Sequence, residues 1–249
     1  MIKDTLGIKV YGPELAGDDS RPVAVVHAME RVLPGLRLEW TVSDDHRISH
    51  LPQRDAWLAQ ATGNGGFPLV CNNDEHYPVM ISWLAISARS GPGGQALLDV
   101  HAKLPLDADS IAAAAELLEG VAEGARAFWG HATPFRASAE IARQTIHPRM
   151  PGTPPRGLPA LKVSGEIRSQ EIPHRLGWLN YWSAATARAI GFPDPLRDAA
   201  LLSRARCAAS GGWVVQLTDA PLDLNDPDHV DALKRVYERL PEIGGRSAP

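Results

Sequence analysis

Apolar residues recur at helical spacing in five stretches of the chain and form short alternating or clustered runs in seven others. Val23, Val26, Met29 and Leu33 share one face of a helix that Ser20 can cap, with Pro22 in its first turn and Pro34-Gly35 ending it. Pro52 opens a shorter helix through Trp57 and Leu58. The longest helix starts at Ser110. Its apolar face is Ile111, Ala114, Leu118, Val121, Ala125 and Phe128, with Glu116, Glu119 and Glu123 largely off that face and Trp129 at its end. Asp194-Pro195 and Asp226-Pro227 each pair a capping carboxylate with a first-turn proline. The first pair predicts a helix through Leu201, Leu202 and Ala205 that Gly211 ends, and the second a helix through Val230, Leu233, Val236, Tyr237 and Leu240. Strands are predicted over residues 6–11, 36–42, 67–71, 79–87, 96–104, 176–181 and 213–218, with a turn at Gly91-Pro92-Gly93-Gly94.

Between these periodic regions, residues 147–173 carry Pro148, Pro151, Pro154, Pro155, Pro159 and Pro173. Proline fixes φ and removes a hydrogen-bond donor, so no regular helix or central strand fits there. Leu158, Leu161, Val163, Ile167 and Ile172 make the stretch too apolar for a free linker, and it reads as a crossover lying on the fold. The chain therefore divides into an α+β half over residues 1–146, the crossover, and a second α+β half over residues 174–249 packed on the first. The expected architecture is one or more antiparallel or mixed sheets with helices on one face. Pro105-Leu106-Asp107 and Pro221-Leu222-Asp223 each join a strand to an amphipathic helix, which raises the possibility of two related halves.

Composition narrows the function. Hydrophobic residues make up 44% of 249 and charged residues 22%, which is ordinary for a folded chain. A net charge of −4 argues against direct nucleic-acid binding. No run approaches the roughly 20 apolar residues of a membrane helix. The opening Met1-Ile2-Lys3-Asp4-Thr5-Leu6-Gly7 lacks an export signal's apolar region, so a cytoplasmic location is expected. Two cysteines, Cys71 and Cys207, and scattered histidines give no reason to expect a metal or a cofactor. Gly91-Pro92-Gly93-Gly94-Gln95-Ala96 matches a dinucleotide-loop pattern only formally, since a strand-like run follows where a helix is needed.

The acidic pairs Asp18-Asp19, Asp44-Asp45 and Asp74-Glu75 all fall in predicted loops. Gathered at one sheet edge, they would steer a basic partner. Asp44, Asp45, Asp74 and Glu75 are the candidate charged contacts, and Trp57 the candidate aromatic anchor. A different reading takes the Asn72–His76 loop, together with His131, as parts of a small-molecule site assembled from dispersed residues. A third makes the chain a non-catalytic subunit of a homo-oligomer.

Gly177-Trp178-Leu179-Asn180-Tyr181 and the following helix, ending at Ala189-Ile190-Gly191, resemble the Asn-Trp-Leu-Thr strand and helix of bacterial type VI secretion immunity proteins. Here Gly-Trp-Leu-Asn stands in place of Asn-Trp-Leu-Thr. The run from Pro173 to Ser183 and the ending Pro241-Glu242-Ile243-Gly244-Gly245-Arg246 resemble an uncharacterised bacterial family over nearly the whole chain. The resemblance implies an α+β protein, not an enzyme, that binds a cognate toxin and occludes its active site. A basic nuclease would suit the acidic loops.

Overall fold

Leu6, Ile8 and Val10 alternate with Gly7, Lys9 and Tyr11, and the strand they make, β1 (Thr5–Pro13), lies inside the sheet, paired on both sides. The computed structural model describes residues 4–246 apart from 18, 44, 46, 64–68, 148, 150 and 151. The chain continues through α1 (Arg21–Val32), β2 (Trp40–Val42), β3 (Ile48–His50), α2 (Arg54–Gly63), β4 (Leu69–Cys71), β5 (Met80–Ile86) and β6 (Leu97–Pro105). Then come α3 (Ala108–Gly124), β7 (Trp129–Pro134), α4 (Phe135–Ala142), β8 (Leu179–Trp182), α5 (Ala184–Ala189), α6 (Ala199–Leu202), β9 (Ala205–Cys207), β10 (Trp213–Gln216) and α7 (Pro227–Arg239). Among the described residues, ten strands form one sheet in the order β3-β2-β4-β5-β6-β1-β7-β8-β10-β9. Every neighbouring pair is antiparallel. Strands from before and after the crossover form two blocks of this sheet, joined where Trp129 of β7 stands opposite Trp182 of β8.

The expected α+β class, an antiparallel sheet with helices packed against it, is what the structure shows. The helices divide between the faces. Ile8, Ile81, Val100, Ala102, Ala132 and Tyr181 point to one face by register, beneath α3, which crosses β1, β7, β8 and β10. Helix α1 packs on α3, and α2 on α1, where Arg54 pairs with Glu30 at 2.5 Å. Because α3 occupies this face as far as β10, the later elements go to the other. There the crossover buries Leu158, Leu161, Ile167 and Ile172, and α7 closes over it. The Tyr237 hydroxyl accepts from the Leu176 amide at 3.1 Å and donates to Gln144 Oε1 at 3.3 Å. Tyr11 stacks on Trp129 with ring centroids 4.2 Å apart, and His174 packs against both rings. The two Pro-Leu-Asp segments thus lead to helices on opposite faces. Among the described residues, no helix is long and apolar enough to cross a membrane.

Three local expectations change. Trp129 is on a strand, because α3 ends at Gly124 and Arg126, at φ +52°, turns the chain into β7. The helix expected after Asp194-Pro195 shrinks to α6. Ala205 instead begins edge strand β9, and Gly211, at φ +82°, turns the chain between β9 and β10. Asp198 makes the difference: buried at 1% exposure, its carboxylate accepts from the Asp194 amide and the Arg239 guanidinium, tying this segment to α7. Strand pairing in the run expected over 36–42 begins only at Trp40.

The caps separate position from chemistry. Asp107 accepts from the Ser110 amide at 2.9 Å and caps α3, whereas Ser20 precedes α1 without a side-chain cap bond. Asp107→Ala is expected to cost about 1 kcal/mol of unfolding free energy and Ser20→Ala only a few tenths. Urea denaturation of the two variants measures the contrast.

Candidate functional site

An open depression of about 790 Å³ lies on the helical face where the loop after α1, the β4–β5 loop and the first half of α3 meet. Its floor is apolar, from Val32, Leu33, Leu36, Ala112 and Ala113, and Asp74, Asp109 and Glu116 also line it. Asp109 and Glu116 are seven residues apart on α3, about two turns, so they face the same way. The β4–β5 loop holds Asp74 through its own turn chemistry. Asn72 Oδ1 accepts from the Val79 amide at 3.0 Å, and Asp74 Oδ1 accepts from the His76 amide at 2.8 Å. The Tyr77 hydroxyl and Ser110 Oγ share a hydrogen bond of 2.7 Å, which pins the loop to the first turn of α3. Burial raises the Tyr77 pKa, and the charges of Asp107 and Asp109 push it the same way.

The site is electrostatically open. Among the described residues, neither Asp109 nor Glu116 has an ion-pair partner. Asp74 has only the His76 ring, 3.8 Å away and almost fully exposed. Glu116 also lines a second depression between α1 and α3, where Glu119 and Glu123 follow it along α3. Those two are engaged: Glu119 with Arg206 at 2.7 Å and Glu123 with the Tyr181 hydroxyl at 2.7 Å. Two carboxylates without an ion-pair partner and a third, Asp74, with only an exposed imidazole beside it, set over an apolar floor, suit a cationic side chain carried on an apolar stem.

The candidate contacts named from sequence do not all meet here. Asp74 lines the depression, and Glu75 is exposed beside it on the same loop. Asp45 sits in the β2–β3 turn, paired with Arg47 at 2.8 Å. Because β2 runs antiparallel to β4, that turn lies at the opposite end of the strands from Asp74. Asp44, with Asp18 and His46, lies outside the described residues. Trp57 is half-buried on α2 and lines a different hollow with Leu51 and Pro52. Sequence reading passed over Asp109, Glu116 and Tyr77. The seven-residue spacing of the first two was available as a signal, but only the folded chain brings Asp74 and Tyr77 to them.

His131 and the Asn72–His76 loop do not form one centre. His131 stands on β7 at 3% exposure and points to the face opposite α3, where its Nδ1 lies 3.2 Å from Thr133 Oγ1. Three imidazoles share that side of the sheet. Burial, helped by the positive charge of Arg175, lowers His174 to about 3 and His131 well below its usual value. Burial, with Lys9 and Lys103, lowers His101 to about 4. The unfolded chain takes up protons at these rings below roughly pH 6.5, and the folded chain does not. Their contribution to stability is therefore intact above that pH and is lost as the pH falls toward 4. Each fully buried ring adds about 1.4 kcal/mol per pH unit to the slope. His174→Phe is expected to flatten the fall by about that much, in urea unfolding measured from pH 7.5 to 5.

A model of the family described as a domain of unknown function, DUF5953, matches residues 17–248, so the chain belongs to that family. No curated protein matches it. Among solved structures, the chain is similar to the Pseudomonas aeruginosa T6SS protein PA0821, with a TM-score of 0.59 and 14% identity. That match covers 96% of this chain and 76% of the other, and at such identity it establishes shared fold alone.

Proposed function

We propose that this DUF5953 protein is an immunity-type protein of type VI secretion. It binds a cognate toxin and blocks the toxin's active site. The observation that carries the reading is the depression lined by Asp74, Asp109 and Glu116, three carboxylates with little or no counter-charge over an apolar floor. A toxin that handles a polyanion, such as a nuclease, needs a cationic cleft, and a fixed acidic surface complements such a cleft. The similarity to a protein titled as a T6SS protein supports the setting, and the chain's resemblance to immunity proteins around Trp178 supports the role. On this reading the chain acts by occlusion in the cytoplasm and carries out no chemistry of its own. It contacts the toxin and not the toxin's nucleic acid.

The test joins binding to protection. The tagged protein is used to capture its partner from the producing bacterium at low and at high salt, and the captured protein is then co-expressed with it. A stoichiometric partner that is released by salt, and whose growth arrest this chain relieves, is expected. The triple variant Asp74→Lys, Asp109→Lys, Glu116→Lys is expected to slow association at least tenfold at low salt and to lose protection. A partner bound equally well by the triple variant, or one whose expression the chain does not make tolerable, would contradict the proposal.

A further inference from the structure

The described residues include five large apolar side chains that are exposed: Ile48, Met80, Leu84, Phe135 and Leu196. Strand register puts three of them on one surface. Met80 stands opposite Lys103 and Cys71, Cys71 opposite Trp40, and Trp40 opposite His50, two residues on from Ile48. Leu84, four residues along β5 from Met80, therefore points the same way, as does Lys9 on β1. This is the face turned away from α1 and α3. Phe135, on the first turn of α4, adjoins it beneath the Lys103 ammonium, which lies 5.7 Å from the ring centroid. Ile48, Leu84 and Phe135 are 51%, 56% and 59% exposed, far too open for a finished face of a sheet.

Elsewhere this sheet is covered by helices or by the crossover. Among the described residues, Met80 and Leu84 on β5 and Ile48 on β3 stay exposed on this face, although Cys71 between them is buried. Positive charge gathers at its β6 end, while Glu39 meets His50 at the far edge, 3.9 Å away. Among the described strand positions of β5 and β6 on this face, the one carboxylate, Asp99, is buried and lies 3.7 Å from Lys9. Lys103 and exposed Arg136, next to Phe135, have no ion-pair partner among the described residues. Two copies packed face to face at the Lys103 end would bring two patches of like charge together, which disfavours self-association there. Met80 and Leu84 are about 13 Å apart, the distance between residues eight or nine apart on a helix.

We propose that this bare sheet face is a second docking surface and that its occupant is an amphipathic helix of a partner protein. The helix lays its apolar stripe over Met80, Leu84 and Phe135 and sets acidic residues against Lys103 and Arg136. The surface is separate from the acidic depression, so each proposal can fail without the other.

Two fluorescent helical peptides of about 18 residues test it, with the same leucine stripe flanked by glutamates in one and by lysines in the other. Anisotropy titrations use the full chain at low salt. The glutamate peptide is expected to bind at least tenfold tighter than the lysine peptide. Leu84→Asp is expected to weaken it at least tenfold with an unchanged melting temperature, and Asp74→Lys to leave it unaffected. Lys103→Glu with Arg136→Glu is expected to reverse the preference. Equal binding of both peptides, binding of neither, or indifference to Leu84→Asp would overturn the proposal. So would a dimer in sedimentation that Leu84→Asp dissolves, which would assign the face to a second copy.

Discussion

Helix α3 comes so close to α1 that a Cβ on Gly124 would lie 2.9 Å from the Val25 amide nitrogen and 3.0 Å from its Cα. One turn earlier, a Cβ on Gly120 would lie 3.2 Å from the Ala28 Cβ. Interior helical glycine costs up to about 1 kcal/mol relative to alanine, so Gly120, with Gly124 ending the same face of the helix, marks a contact that needs the room. The crossing fixes where α3 rests on the sheet, and α3 touches strands on both sides of the junction between β7 and β8. On the far side Glu123 takes the Tyr181 hydroxyl and Glu119 the Arg206 guanidinium. One helix thus braces both blocks of strands, and the rest of the architecture follows from it. The crossover and α7 use the opposite face, where the crossover reaches the β5–β6 connection through the Gly93 amide and the Ile167 carbonyl, 2.8 Å apart, and leaves Met80 and Leu84 exposed.

That asymmetry gives the molecule two unlike surfaces. The helical face carries carboxylates left over once Glu119 and Glu123 have been used in bracing the sheet. The other face carries leucine, methionine and phenylalanine side chains beside free cations. Both are held on rigid elements: Asp109 and Glu116 on α3, Met80 and Leu84 on β5. Asp74 is on a loop, but Asn72 and the Tyr77–Ser110 bond hold that loop to the same helix. On the reading proposed above, such rigidity leaves little ordering cost to meet on binding.

Much of this was legible along the chain. The central strands β1 and β6 show alternation, β5 is a nearly continuous apolar run, and α1, α3 and α7 show apolar faces with clear starts and stops. Strand β7 was not legible, because Trp129 to Pro134 are buried on both faces and so carry no alternation. Its apolar start also continues the period of α3, so only the left-handed Arg126 separates the two. Edge strands β3 and β9 are three residues each, too short for any periodic signal. For the site, sequence showed which residues were acidic and in loops. It could not show that the Asp45 turn and the Asp74 loop leave opposite ends of the same short strands, since that depends on pairing order. The exposed face was hidden for a related reason: Met80 and Leu84 look like ordinary strand residues until the order of helices above and below the sheet is known.

The most direct test of α3 as the common brace is native-state hydrogen exchange on the intact chain. Amides of β6 and β1 on one side, and of β8 and β10 on the other, are expected to open with the same free energy. Gly124→Ala, which forces α3 off α1, is expected to lower all of them by a similar amount. Protection of β8 and β10 that differs widely from that of β1 and β6, or that stays unchanged in Gly124→Ala while the first block weakens, would contradict this account.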